Sequence, residues 1–159
     1  MIQRIQTAFL SVAAVLAVFI VIHPISGMSL NDGSVAYFTS FGLKSLHEPP
    51  QIYTHTFPIG VLAIASALLS VITVFLFQKR VLQMRLCVYN ILITIGLSAV
   101  MFFYYFTIKN GEITDGLHVI AHSFSYTIIF PFINIILIFQ AFRSIRRDDI
   151  LIKSYDRLR

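Results

Sequence analysis

Phe77-Gln78-Lys79-Arg80-Val81-Leu82-Gln83-Met84-Arg85-Leu86 is a short basic interruption between two long apolar runs, and the fold is read outward from it. A Lys or Arg at the centre of a helix in hydrocarbon costs about 2.5 to 3.5 kcal/mol on insertion scales, so Lys79, Arg80 and Arg85 bring the chain to a membrane surface. Cytoplasmic loops collect Lys and Arg, and the same residues therefore propose which side of the membrane this turn faces.

Of the 159 residues, 57% are hydrophobic and only 12% charged, against about 25% charged in an ordinary soluble domain. That balance excludes a soluble globular fold. The apolar residues fall into blocks over about 5–22, 57–77, 86–108 and 117–142, each near the roughly 20 residues a spanning helix needs. The expectation is a single all-α membrane domain, a four-transmembrane-helix bundle with an outer loop over 23–56 and a tail over 143–159. The net charge of +5 does not point to nucleic acid, because these cations flank apolar spans and form no basic face on a soluble body. Their partners are the lipid bilayer and its anionic headgroups, worth about 1 kcal/mol per Lys or Arg near the surface. Cys87 is the one cysteine, so no intrachain disulfide forms, and a buried inert thiol is expected.

Arg4 precedes the run Ile5 to Ile22, which also resembles a secretory signal. The run is long for a signal core and no small-x-small cleavage pattern follows it, so it is read as the first span. Between 23 and 56, Asn31-Asp32-Gly33 is a hairpin signal with Met28 to Leu30 before it and the strand-forming Val35 to Phe41 after it. This predicts a small extracytoplasmic two-stranded flap over one end of the bundle; a lone hairpin is marginal in water and needs something to pack on. Pro58 opens the second span, where a missing donor is tolerated. Lys109-Asn110-Gly111-Glu112 turns the chain after the third span, and Pro131 falls inside the fourth.

Counting cations fixes the orientation. Arg4, Lys79, Arg80, Arg85, Arg143, Arg146, Arg147, Lys153, Arg157 and Arg159 fall on one side, and Lys44 and Lys109 on the other. The positive-inside rule then puts both termini and the basic turn in the cytoplasm. Beyond Phe142, Ile145, Ile152 and Tyr155 keep helical spacing beside Arg146, Arg147, Lys153 and Arg157, the pattern of a C-terminal amphipathic helix at the interface.

The histidines His23, His47, His55, His118 and His122 all fall toward the outer side. His118 and His122 stand four apart in the predicted fourth span, so they share a helical face, and with His23 and His55 they could hold a metal ion or a haem. Glu48, Glu112 and Asp115 lie near enough in sequence to add oxygen ligands. Against this, imidazoles sit comfortably at the headgroup boundary and their spacing matches no zinc signature. No carboxylate, Lys or Arg occupies the middle of a span, which speaks against pumps and ion-coupled transporters. Ser123 and Ser125 lie near His122 without a base and orienting group around either hydroxyl. The reading is therefore no enzyme and no cofactor.

Ser66, Ser70, Thr73, Asn90, Thr94, Ser98, Thr127, Asn134 and Gln140 are the polar residues within the spans. Ala13/Ala17, Ala63/Ala67 and Ser66/Ser70 are small-xxx-small pairs that let helices approach closely. Asn90 and Asn134 are expected to make interhelical hydrogen bonds, Asn134 beside a ladder broken by Pro131. The alternative is a polar lining for a small-molecule cavity. Phe102 to Phe106, with Tyr53, Phe57, Phe124 and Tyr126, fit an aromatic belt at the outer interface.

Three segments carry a resemblance together: Met1-Ile2-Gln3-Arg4-Ile5-Gln6-Thr7, Gln78-Lys79-Arg80-Val81-Leu82-Gln83-Met84-Arg85-Leu86, and Ala141-Phe142-Arg143-Ser144-Ile145-Arg146-Arg147-Asp148-Asp149 running to Ser154-Tyr155-Asp156-Arg157-Leu158-Arg159. The chain resembles the domain of unknown function 4293 family, small four-span membrane proteins of the Bacteroidota. The resemblance implies an inner-membrane location with these three segments on the cytoplasmic side, and it brings no activity, cofactor or catalytic residue. The expected function is that of a non-enzymatic scaffold or accessory subunit. It would dock onto a membrane or cytoplasmic protein through Lys79, Arg80, Arg85, Arg143, Arg146, Arg147, Arg157 and Arg159. The alternatives are a metal- or haem-binding redox subunit using His23, His55, His118 and His122, and a bundle that binds lipid or a small molecule.

Overall fold

The computed structural model describes residues 3–30, 33–45, 52–77, 79–110 and 119–157. In chain order the elements are α1 (Gln3–Ile22), β1 (Ser26–Leu30), β2 (Val35–Phe38), β3 (Gly42–Ser45), β4 (Ile52–His55), α2 (Phe57–Phe75), α3 (Arg80–Lys109), β5 (Val119–Phe124), a 3-10 turn (Tyr126–Ile129) and α4 (Phe130–Arg157). Four helical stretches are long and apolar enough to cross a membrane. The 20 residues of α1 span about 30 Å at roughly 1.5 Å per residue, the thickness of the hydrocarbon layer.

α1 packs against α2 and α4, and α3 packs against the same two helices. The faces that meet combine small and polar residues with buried Leu10, Leu97, Ile138 and Ile145, and the faces that point away are mostly large and apolar. On α2, Ala63, Ser66, Ala67, Ser70 and Thr73 are buried, while Val61 and Phe75 are 60% and 73% exposed. On α3, Gln83, Cys87, Asn90, Thr94, Leu97, Ser98 and Met101 are buried, while Leu92 and Phe103 face outward. Water would oppose such an exterior, since contiguous exposed apolar surface of this extent is foreign to soluble proteins. Lipid tails favour it, and there helices associate through small residues and interhelical hydrogen bonds.

The strands form one antiparallel sheet in the order β4-β3-β2-β1-β5. It lies across one end of the helices. Met28, Leu30, Ala36, Phe38 and Leu43 share a single buried cluster with Ile20 of α1, Ile59 of α2 and Met101, Tyr105 and Ile108 of α3. Period-two alternation puts Ala36 and Phe38 inward and Val35 and Tyr37 outward. Gly33 precedes β2 with φ 77°, a left-handed conformation that glycine adopts without penalty.

The turn between β2 and β3 locks the sheet to the helices. Ser40 Oγ donates to the Ile20 carbonyl at 2.5 Å, and the Ser40 carbonyl accepts from the Gly60 N–H at 3.0 Å. Thr56 Oγ1 donates to the Thr39 carbonyl at 2.9 Å. The first turn of a helix has N–H groups without intrahelical partners, so this turn serves as the cap of α2 while holding the end of α1. Thr127 Oγ1 donates to the Pro24 carbonyl at 2.9 Å and Ser26 Oγ to the Ser123 carbonyl at 3.0 Å, which ties the approach to α4 to the same place.

Four expectations change. The two-stranded flap is part of a five-stranded sheet; residues 31 and 32 of its predicted turn lie outside the described residues. The fourth span does not begin at Leu117: residues 119–124 are β5, and the apolar helical stretch runs Tyr126–Leu151. A short apolar run is ambiguous between helix and strand by periodicity, and here pairing with β1 decides it. Pro131 is the second residue of α4, where its absent N–H breaks no ladder, so α4 has no proline kink. Finally, α4 continues unbroken to Arg157, and α3 already begins at Arg80. With neither Gly nor Pro between 142 and 157, nothing ends the helix where the apolar run ends, and the predicted amphipathic segment is an extension of α4. Arg80 and Arg85 of the basic interruption are thus helical, and α2 ends at Phe75.

The Phe41 ring occupies the space a side chain at position 60 would need. A Cβ there would lie 2.5 to 2.9 Å from three of its ring carbons. Gly60→Ala is expected to destabilise the protein by about 1 to 3 kcal/mol through overpacking, measured by denaturant titration in detergent, and the penalty should shrink in a Phe41→Ala background.

Candidate functional site

The interior between α2 and α3 is a closed hydrogen-bond cluster. Ser66 Oγ donates to Asn90 Oδ1 at 2.8 Å and lies 3.3 Å from Thr94 Oγ1. Asn90 Nδ2 donates to Ser70 Oγ at 2.7 Å. Ser70 Oγ and Thr94 Oγ1 return their protons to the carbonyls one turn back, Ser66 and Asn90, at 2.9 and 2.7 Å. Nearer the basic end, Gln83 Nε2 donates to the Thr73 carbonyl at 3.1 Å. These groups satisfy one another without a charged residue, as the hydrocarbon interior requires. The geometry is that of helix cement, with no hydroxyl poised against a base.

Asn134 differs. It is fully buried, and among the described residues neither its amide nitrogen nor its oxygen has a hydrogen-bond partner. The broken ladder predicted to serve it does not exist, because Pro131 opens the helix.

The histidines do not share a helical face. His122 lies in β5 opposite Met28, and His118 and His47 are outside the described residues, as are Glu48, Glu112 and Asp115. His23 stacks on Phe19 with ring centroids 5.2 Å apart and His55 on Phe57 at the same separation. Among the described residues no group of three or more His, Cys, Asp or Glu side chains could hold a metal ion.

At the opposite end, Lys79, Arg85, Arg143, Arg146 and Arg147 are exposed and Arg80 is half-buried. Arg80 Nη1 donates to the Asp148 carbonyl at 3.3 Å, joining the start of α3 to α4. The buried Asp148 side chain accepts from Gln6 Nε2, joining α1 to α4. The backbone of Arg157 continues α4, and Arg159 lies outside the described residues. A groove between α1 and α4 opens here, with Arg143, Arg147, Gln140 and Ser144 on one side and Ile5 and Phe9 on the other. Arg143 and Arg147 are among the docking residues expected from sequence, whereas the Gln6–Asp148 contact and the pairing of these arginines with Ile5 and Phe9 escape a reading by blocks, because nothing in the hydropathy says which helices are neighbours.

The profile of the family described as Domain of unknown function (DUF4293) matches residues 2–158, nearly the whole chain. The chain belongs to the DUF4293 family. No curated protein matches it. In this DUF4293 protein the described residues of the three segments that carry the resemblance, 3–7, 79–86 and 141–157, fall at the start of α1, the start of α3 and the last part of α4.

The two buried asparagines predict opposite responses. Asn90→Leu removes the hub of the inner cluster and should lower stability by about 0.6 to 1.7 kcal/mol, the range for interhelical hydrogen bonds in membranes. Asn134→Leu removes an unsatisfied amide and should leave stability unchanged or raise it. Parallel unfolding titrations of the two variants in one detergent check both.

Proposed function

We propose that this DUF4293 protein is a non-enzymatic four-helix-bundle subunit of the bacterial inner membrane, a scaffold or accessory protein that docks onto a larger assembly through its basic end. The sheet end faces outward and the basic end faces the cytoplasm, in accord with the excess of Lys and Arg there. One observation carries the reading: the exposed Lys79, Arg85, Arg143, Arg146 and Arg147 gather at one end, held in register by Gln6, Asp148 and Arg80, against Lys44 and Lys109 at the other. In contrast, the polar groups of α2 and α3 are engaged with one another. Lys79, Arg80, Arg85, Arg143, Arg146 and Arg147 form the core of the docking surface, and Arg157 and Arg159 extend it along the tail.

Affinity purification of the full chain from its native membrane should retain a specific protein partner. Arg143→Gln/Arg146→Gln/Arg147→Gln should reduce partner recovery about tenfold, since exposed ion pairs contribute up to about 1 kcal/mol each. A preparation that stays monodisperse and partner-free under conditions that preserve other inner-membrane complexes would contradict the proposal.

A further inference from the structure

The groove between α1 and α4 has two walls of different character. Arg143 and Arg147 stand one turn apart on α4 and both border it, with Gln140 and Ser144 as additional donors. Ile5 and Phe9 of α1 supply the apolar wall. Its volume is about 350 Å³, within the roughly 300 to 1,000 Å³ of small-ligand sites. The groove lies where two membrane-crossing stretches end, at Ile5 on α1 and Leu151 on α4. On its membrane side α4 turns the exposed Ile136 and Phe139 outward.

We infer that this groove is a binding site for the headgroup of an anionic phospholipid, with Arg143 and Arg147 on the phosphodiester and the acyl chains lying along Phe9 and the outer face of α4. Guanidinium groups match phosphate oxygens through paired N–H donors, and basic pockets between spans at the cytoplasmic boundary suit anionic headgroups. Asp148 also borders the groove, and an anion there meets its charge. Its carboxylate already accepts from Gln6, and two arginines against one aspartate leave the lining net positive. A soluble phosphate would use the arginines but leave the apolar wall empty, so a lipid satisfies both walls and a free anion only one. The inference deepens the reading of the basic end and concerns the isolated chain, so its failure leaves the partner-recovery result standing.

The test is native mass spectrometry of the purified full chain released from detergent micelles with added phosphatidylglycerol or phosphatidylcholine. Phosphatidylglycerol should be retained at least about tenfold more strongly, the effect expected from two arginines near an anionic surface. Arg143→Gln/Arg147→Gln should abolish the preference, whereas Lys44→Gln/Lys109→Gln, which removes the same charge at the sheet end, should preserve it. Because the chain contains no tryptophan, Phe9→Trp adds a second readout: brominated phosphatidylglycerol should quench it and brominated phosphatidylcholine should not. Equal retention of the two lipids by the unmodified chain would overturn the inference. So would displacement of phosphatidylglycerol by millimolar glycerol 3-phosphate, which would mark a site for the free anion.

Discussion

Hydrocarbon offers no hydrogen-bond partners, and the helix faces that meet inside this protein are built around that constraint. Ser66, Ser70, Asn90 and Thr94 bond to one another and to carbonyls one turn back. The hydroxyl residues and alanines on these faces are small enough for the backbones to approach, while Val61, Leu68, Phe75, Leu92 and Phe103 are among the large side chains that turn outward to lipid. Charge is excluded from the middle of the spans and collects at their ends. On the helix faces Asn134 departs from this pattern, a buried amide whose two polar atoms are both unmet among the described residues. It has a cost that a leucine would not.

The two ends of the helical body are closed by different means. At one end a sheet closes the body: in the turn over 39–41 the Ser40 hydroxyl donates to the Ile20 carbonyl of α1 and the Ser40 carbonyl accepts from the Gly60 N–H of α2. The sheet then buries Met28, Leu30, Phe38 and Leu43 on the helix termini. At the other end side chains do the joining. Gln6 reaches Asp148, and Arg80 reaches the carbonyl of the same residue. Arg80 sits at the N-terminus of α3, where the helix dipole disfavours a cation, and the Asp148 carbonyl offsets part of that cost. One aspartate thus organises the meeting of α1, α3 and α4, and Arg143, Arg146 and Arg147 of α4 stay exposed around it.

The spans and the basic end were legible because hydropathy and charge are local properties of the chain. The strand-forming runs around Met28 to Leu30 and Val35 to Phe38 were legible for the same reason, and they pair as β1 and β2. What escaped depends on neighbours. β5 lies in an apolar segment that reads equally as the start of a span, and only its pairing with β1 makes it a strand. Pro131 held a clue, since proline favours the first turn of a helix over its interior, and placing it there would have moved the start of α4. The supposed histidine face disappeared with that helical segment. The α1–α4 groove needs the knowledge that the first and last helices are adjacent, which no local pattern contains.

The account depends most on the two ends of the helical body lying on opposite sides of a membrane. Lys44 at the sheet end and Lys79 at the basic end are both exposed, and the single native cysteine, Cys87, is fully buried. Labelling of Lys44→Cys and Lys79→Cys with a membrane-impermeant maleimide, in spheroplasts and in inverted inner-membrane vesicles, reads their sides directly. The account predicts that Lys44→Cys labels in spheroplasts and Lys79→Cys in inverted vesicles. Labelling of both from the same side, or the reverse pattern, would contradict it.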